Sequence, residues 1–371
     1  MPRRFTDSDE RFMRRALALA ARGEGRVEPN PMVGCVVVRG GRVVAEGYHR
    51  RFGGPHAEIA ALRRAGDAAR GATAYVTLEP CAHSGKTPPC ADALIDAGVH
   101  CVIAAVTDPC CMVNGRGFRR LRNAGVEVRC GLLADDARRL MAPYLHRIDT
   151  GRPWVIAKWA QSLDGKIATH TAQSQWITSP ASRTRVHRLR GRVDAILTGV
   201  NTVLADDCEL TARQIRPRRV ARRVVLDADL RTPMTARVVQ TAREVPTTVF
   251  TTRRAAGRTA GRYERLGVEI VAVPGPGGRL DLPTVLRELG RRGVTNVLVE
   301  AGGTLLGSFF DQQLINEAVV FVAPILIGGL GAPGPLGGQG ISTLEQAPRP
   351  QLVETRRCGP DTMYRLRVPV T

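Results

Sequence analysis

Residues 6–22, TDSDERFMRRALALAAR, place Phe12, Ala16, Leu19 and Ala20 at helical spacing behind a Thr6/Asp9 capping pair, which predicts a helix. Two β-branched runs follow, MVGCVVV (32–38) and RVVAEGY (42–48), joined across Gly40-Gly41, and they predict a hairpin. The pattern then predicts a helix from about His56 to Ala65, a strand at 72–78, a short helix at 91–97, a strand at 101–106, a helix near 117–124 and a strand at 126–130. Alternation of this kind after a hairpin implies a largely parallel sheet with helices on its faces. The pattern breaks at Pro143, Gly151 and Pro153 and restarts with the apolar run WVIAKWA (154–160), so two domains are expected, 1–147 and 148–371. The second repeats the α/β alternation, with strands near 194–199, 223–227, 246–251, 268–273, 295–300 and 318–323. Glycine and proline gather at 274–283 and 328–340, which read as mobile loops, and there is no internal repeat.

Composition changes this picture little. A chain of 371 residues exceeds what one core usually serves. No run approaches the roughly 18 apolar residues of a membrane helix, and MPRRFTDSDE does not read as a signal peptide, so a cytoplasmic location with no membrane partner is expected. Nine cysteines are an odd number in a chain too long for a disulfide scaffold, which favours metal ligation or burial. The net charge of +20 divides into +7 over residues 1–150 and +13 beyond, almost all of it arginine scattered singly or in pairs. Without a basic run or interleaved aromatics this is a solvated surface, and no nucleic-acid partner is expected. The three lysines, Lys86, Lys158 and Lys166, all fall in segments that look functional on other grounds.

The candidate chemistry begins with GGPHAEIAAL, which puts His56 and Glu58 at the start of a helix. About twenty residues on, a strand runs into TLEPCAHSGKTPPCADAL and supplies Cys81 and Cys90. One imidazole and two thiolates make a three-ligand set that zinc accepts tetrahedrally, leaving a fourth position for water. His56 and Cys90 both fall at predicted helix starts, where the helix dipole favours a thiolate. The arrangement follows the H-x-E…P-C pattern of zinc deaminases, with Glu58 outside the metal shell as proton shuttle, although eight residues separate the cysteines where that pattern has two. Cys35, Cys101, Cys130, Cys208 and Cys358 lack such a context and read as buried small hydrophobes; His49, His100, His146, His170 and His187 read as ordinary histidines.

With PNPMVGCVVV (29–38), HAE (56–58) and TLEPCAHSGKTPPC (77–90) in order, the first half closely resembles the deaminase domain of the bifunctional riboflavin-biosynthesis deaminase/reductase family, in which the eight-residue spacing is usual. The second half resembles that family's reductase domain through KWAQSLDGKIA (158–168), SQWIT (174–178), GVNTVLADDCELTAR (199–213) and VEAGGTLLGSF (299–309). The resemblance implies an N-terminal cytidine-deaminase-like three-layer α/β/α domain and a C-terminal dihydrofolate-reductase-like α/β domain. It also implies two reactions on one phosphoribosylated pyrimidine, namely hydrolytic loss of ammonia from C2 and NADPH-dependent reduction of the ribosyl to the ribityl chain.

Carried over by position, the resemblance assigns one Zn2+ per chain to His56, Cys81 and Cys90, acid/base work to Glu58, and deaminase substrate contacts to Asn30, His83 and Lys86. NADPH contacts fall on Ala160, Trp176, Thr202, Asp206 and the run Gly302, Gly303, Thr304, Leu305, Leu306, Gly307 and Ser308. Reductase substrate contacts fall on Ser174, Arg190, Leu210, Arg213 and Glu300, and Lys158 is a candidate for orienting the sugar or supplying a proton. Two arginines suit a phosphate and a Glu suits ribose hydroxyls, whereas Trp176 and Leu210 without the motif would read as core. A homo-oligomer is expected.

Two departures stand out. The family has Asp-Pro-Asn-Pro where this chain has Asp108-Pro109-Cys110-Cys111; a thiol cannot reproduce an amide's hydrogen bonds, so a contact rewired through Asn114 with the zinc chemistry intact is expected. Cys208 replaces a usual proline, which predicts a less rigid loop. The principal rival, a nucleic-acid deaminase such as a tRNA adenosine editor with an accessory domain, would favour P-C-x-x-C spacing and leaves KWAQSLDGK and ADDCELTAR unexplained. A purely structural zinc module would normally close the metal shell with a fourth ligand.

Overall fold

The computed structural model describes residues 4–82 and 89–369. The chain divides after Gly151 into two compact units.

In the first unit the elements are α1 (Asp7–Ala20), β1 (Gly34–Arg39), β2 (Arg42–Tyr48), α2 (Ala57–Ala65), β3 (Thr73–Val76), α3 (Cys90–Asp96), β4 (Cys101–Ala104), α4 (Arg116–Asn123), β5 (Glu127–Cys130), α5 (Ala134–Leu140) and α6 (Ala142–Thr150). Thr6 and Asp9 form the capping box of α1. The five strands lie in the order β2-β1-β3-β4-β5, with β1 antiparallel to both neighbours and β3, β4 and β5 parallel. Because strand side chains alternate, Val36 and Val38 enter one core with Phe12, Met13 and Met141, while Cys35 and Val37 enter another with Ala57, Ala61 and Leu94. Helices therefore cover both faces, which is the expected three-layer arrangement. Two glycines set how closely they approach: a Cβ on Gly34 would overlap the Ala16 carbonyl oxygen of α1, and one on Gly47 would overlap the Ala57 carbonyl oxygen at the start of α2. That contact seats α2, and with it His56, against the hairpin.

Helices α5 and α6 depart from the sequence reading, which ended the regular pattern near Pro143. Pro143 lies in the first turn of α6, where a missing N–H costs nothing, so it starts a helix there and does not break one. The first unit consequently runs past residue 147 to Gly151.

The second unit contains β6 (Trp154–Ser162), α7 (Pro180–Arg190), β7 (Ala195–Gly199), α8 (Val200–Asp206), β8 (Arg222–Leu226), α9 (Arg237–Gln240), β9 (Thr247–Thr251), α10 (Arg253–Glu264), β10 (Val268–Ala272), α11 (Leu282–Arg291), β11 (Asn296–Glu300), α12 (Gly303–Asp311), β12 (Glu317–Ala323), β13 (Gln351–Cys358) and β14 (Asp361–Arg367). The sheet order is β10-β9-β8-β7-β11-β6-β12-β14-β13, parallel from β10 through β12 and antiparallel beyond. The strands β13 and β14 have no counterpart in the sequence reading. β13 is an edge strand that exposes most of its residues and carries Glu354, Arg356 and Arg357, so it lacks the apolar alternation that announces a half-buried strand. The 328–340 loop, expected to be mobile, is tied to the body by bonds from Gly328 N–H to Asp164, Gly337 N–H to Gly303 O, and Gln339 and Gly340 N–H to Asp311. Among the described residues no helix is long and apolar enough to cross a membrane.

Candidate active sites

In the first unit His56 is the N-cap of α2 and Cys90 the first residue of α3, while Cys81 lies on the segment leaving β3. His56 Nδ1 is 3.2 Å from Cys90 Sγ and 3.7 Å from Cys81 Sγ. Around a tetrahedral zinc with ordinary bond lengths a nitrogen and a sulfur sit about 3.6 Å apart, so the donor set fits this metal. The N-terminus of α3 holds Cys81 as well: Cys90 N–H donates to Cys81 Sγ at 3.3 Å and Ala91 N–H to Cys81 O at 3.1 Å. Those bonds hold together two cysteines with eight residues between them in sequence. Hydrogen bonding from Cys90, opposed by burial and reinforced by His56, lowers the Cys81 thiol to about 4. Glu58, the second residue of α2, is almost wholly buried. Burial, and then the charge of Cys81, raises its carboxyl to about 7.

A cavity of about 420 Å³ opens on this cluster, lined among others by Asn30, His49, Glu58, Cys110, Tyr144 and Arg147. His49 was read as ordinary, yet its Nδ1 donates to Pro55 O at 3.0 Å, leaving Nε2 to accept from Asn30 Nδ2 at 3.3 Å. Burial lowers its pKa, in keeping with Nε2 serving as an acceptor. Pro55 lies six residues along the same β2–α2 connection, whereas Asn30 comes from a different loop, and only the fold brings it to His49. The opposite wall is organised by Glu79, a buried carboxylate that accepts N–H bonds from Asp108, Gly115, Gly117 and Phe118. Asp108 in turn accepts from Tyr144 Oη and from Cys110 N–H, each at 2.9 Å, which turns Cys110 to the cavity. Asn114 is exposed and outside the cavity lining, so the expected substitution of its amide for the missing one is not supported. His83 and Lys86 lie outside the described residues.

In the second unit a cavity of about 860 Å³ gathers Lys158, Ala160, Ser174, Trp176, Arg190, Thr202, Asp206, Leu210, Arg213, Glu300, Gly302, Thr304, Leu305 and Ser308 from seven separate segments. Gly303, Leu306 and Gly307 are not on its wall: Leu306 is fully buried in the core, and a Cβ on Gly303 or Gly307 would meet the carbonyl oxygen of Gly334 or Gly337. Trp176 is exposed, with the Arg183 guanidinium 4.6 Å above its ring, and is therefore not the core residue its type alone suggests. Leu210, by contrast, is buried, with φ of 51°. At the centre Glu300 accepts a fork from Arg190, Nε at 2.6 Å and Nη2 at 2.9 Å, with Lys158 Nζ 3.6 Å away. Burial would raise the Glu300 carboxyl, but Arg190 and then Lys158 hold it down at about 2. Burial lowers the Lys158 ammonium. Cys208 also lines the cavity, as a thiol pushed up to about 11 by burial and then by Asp206. Gly302 caps α12 without any side-chain bond, and a Cβ there would meet nothing within 4 Å. An uncapped helix N-terminus on a roomy cavity fits the diphosphate of a dinucleotide. His187, Glu209 and Arg237, which the sequence reading did not single out for this site, share the wall.

These two sites define a protein with a deaminase-type metal centre in one unit and a separate α/β cavity in the other. Residues 6–106 match the cytidine and deoxycytidylate deaminase zinc-binding region, and residues 153–364 match the RibD C-terminal domain. Over 97% of its length the chain is 42% identical to the riboflavin biosynthesis protein RibD of Actinobacillus pleuropneumoniae, of which it covers 94%. It is 43% identical to that of Escherichia coli, with 96% and 99% covered. Among solved structures, RibD of Acinetobacter baumannii superposes with a TM-score of 0.87 at 38% identity, covering 98% of this chain and 99% of that one. A diaminohydroxyphosphoribosylaminopyrimidine deaminase/5-amino-6-(5-phosphoribosylamino)uracil reductase of Thermotoga maritima does so with a TM-score of 0.84 at 36% identity and the same coverage. The chain belongs to the RibD family of riboflavin biosynthesis proteins. The match over residues 153–364 accounts for the segments that a nucleic-acid deaminase left unexplained.

Proposed function

We propose that the first unit hydrolytically deaminates 2,5-diamino-6-(5-phosphoribosylamino)pyrimidin-4(3H)-one to 5-amino-6-(5-phosphoribosylamino)uracil, and that the second reduces the product's ribosyl chain to ribityl with NADPH. The observation that carries the reading is the three-donor cluster of His56, Cys81 and Cys90 with a buried carboxyl, Glu58, on the same cavity wall. Zinc held by these three residues supplies Lewis acidity that brings the ionisation of a water ligand near neutrality. Glu58, raised into the same range, takes up a proton from the attacking water and returns it to the departing amine. His49 holds the Asn30 amide in place, which leaves the Asn30 carbonyl oxygen and its second amide hydrogen to meet the pyrimidine.

In the second unit NADPH supplies the hydride for C1′ of the opened sugar. Ala160, Trp176, Thr202, Asp206 and the start of α12 would hold it, and Ser174, Leu210 and Arg213 would hold the substrate. Glu300, kept ionised by Arg190, suits the ribose hydroxyls, and Lys158 suits the proton that the reduction requires. Nine cysteines outside any disulfide among the described residues fit a cytoplasmic enzyme.

The test is Glu58→Ala in the full chain. Zinc should stay at one per chain, ammonia release should fall by at least about 10²-fold, and NADPH oxidation on supplied deaminated substrate should continue. Ammonia release at the wild-type rate would remove Glu58 from the chemistry.

A further inference from the structure

Arg190 is the less available of the two arginines expected to hold a phosphate. Nε and Nη2 are committed to Glu300, and Nη1 donates to Thr211 O at 3.2 Å. A different pair is better placed. Arg213, on the loop after α8, and Arg237, the first residue of α9, both line the reductase cavity, and Glu209 lies between them. Glu209 Oε2 accepts from Arg213 Nη1 at 2.6 Å and from Thr211 Oγ1 at 3.3 Å, while Oε1 accepts from Arg237 Nη1 at 2.8 Å. Arg237 is held again from behind: its backbone N–H donates to Asp207 Oδ1 at 2.8 Å and its Nε lies 3.4 Å from Asp207 Oδ2.

The backbone of Glu209 is itself pinned. Its carbonyl accepts a 3.3 Å bond from Nη1 of Arg223, a guanidinium with no exposed surface whose remaining bonds go to Thr241 Oγ1, Thr247 Oγ1 and Val245 O. Asp207 and Leu210 on either side adopt left-handed φ values of 40° and 51°. A carboxylate is thus fixed between two arginine forks, each of which bonds it through a single Nη. The side chains of Arg213 and Arg237 are 47% and 60% exposed, and ion pairs so open to water are weak. A phosphate monoester carries nearly twice the charge of a carboxylate and has three acceptor oxygens, so it competes well for the same two forks.

We propose that Arg213 and Arg237 form a phosphate-monoester clamp in the reductase cavity, with Glu209 as the resident anion that spaces the two guanidiniums until a phosphate replaces it. This rests on the reading of the second unit as a reductase for a phosphoribosylated substrate, and it adds Arg237 and Glu209 to the residues that would recognise it. The phosphate could come from the sugar or from the cofactor's ribose, so both are probed.

The experiment is titration calorimetry of the full-length wild type, Arg237→Gln and Glu209→Gln with ribose 5-phosphate and, separately, adenosine 2′-phosphate. Arg237→Gln should weaken ribose 5-phosphate binding about tenfold and flatten its salt dependence, while Glu209→Gln, which removes the competing charge, should tighten it a few-fold. The same opposed pair of effects on adenosine 2′-phosphate alone would uphold the clamp and assign it to the cofactor. Unchanged binding of both probes in Arg237→Gln would overturn the proposal, as would weakening in both variants, because a Glu that only braces the loop or bonds hydroxyls cannot improve binding when neutralised. Calorimetry does not depend on turnover. Failure of the wild type to oxidise NADPH on the phosphoribosylaminouracil would count against the reductase reading and leave the clamp measurement intact.

Discussion

Replacing Glu79 by alanine is expected to loosen the wall of the deaminase cavity without unfolding the second unit. The Glu79 carboxylate is 3% exposed and accepts four backbone N–H bonds, from Gly117 at 2.9 Å, Gly115 at 3.0 Å, and Asp108 and Phe118 at 3.3 Å each. Hydrogen bonds to a charged group contribute about 1.5–3 kcal/mol each. The two short ones dominate, and water entering the gap offsets part of the loss, so about 4 kcal/mol is a reasonable total, near the upper end for single substitutions. That corresponds to roughly a thousandfold rise in local opening of segment 107–118. The segment carries Cys110, Met112 and Val113 of the cavity wall, and Gly117 packs directly on the Pro80 carbonyl beside Cys81, so zinc retention and ammonia release should fall together. Hydrogen exchange of the 107–118 peptide reads the opening, and chelator competition reads the metal. The three tryptophans, Trp154, Trp159 and Trp176, all belong to the second unit, so their fluorescence midpoint in denaturant is an internal control that should not move. Glu79→Gln keeps one accepting oxygen and should lose about half as much. Unchanged exchange protection and zinc affinity in Glu79→Ala would refute the reasoning.

Acid should act on the second unit through Glu300. Its folded pKa of about 2 lies below the ordinary 4.5, so the stabilisation is complete above about pH 4.5 and is lost as the pH falls through 2; the full loss is on the order of 3 kcal/mol. Denaturation followed by tryptophan fluorescence at pH 5, 4 and 3 should show a shallower decline in Glu300→Gln than in wild type, and equal slopes would place the pH dependence elsewhere. In the first unit, Cys110→Asn adds an amide at a cavity position that the exposed Asn114, outside the lining, does not fill. One gained hydrogen bond of about 1 kcal/mol predicts a roughly fivefold higher deaminase kcat/KM; no gain, measured as ammonia release, would mean the pyrimidine is held without that position.

Much of this protein is local information. The capping box of α1, the Gly40-Gly41 hairpin, and the alternation of strands and helices follow from side-chain period and backbone preference over short windows. His56, Glu58 and Cys90 were legible for a related reason, since the residue types that hold a metal and move a proton stand at the starts of helices, with Cys81 on the segment leaving β3. What the sequence could not decide is which distant residues face the same space. His49 reads as an ordinary histidine until the loop bearing Asn30 meets it, and Arg237 as one arginine among many until Glu209 and Asp207 come within bonding distance. The pairing of Arg190 with Glu300 joins residues 110 positions apart. The edge strand β13 is a strand only because β14 offers it a ladder. Such positions are set by sheet order and by burial, which decides whether a charge is answered by water or by another side chain, and neither quantity exists before the chain has folded.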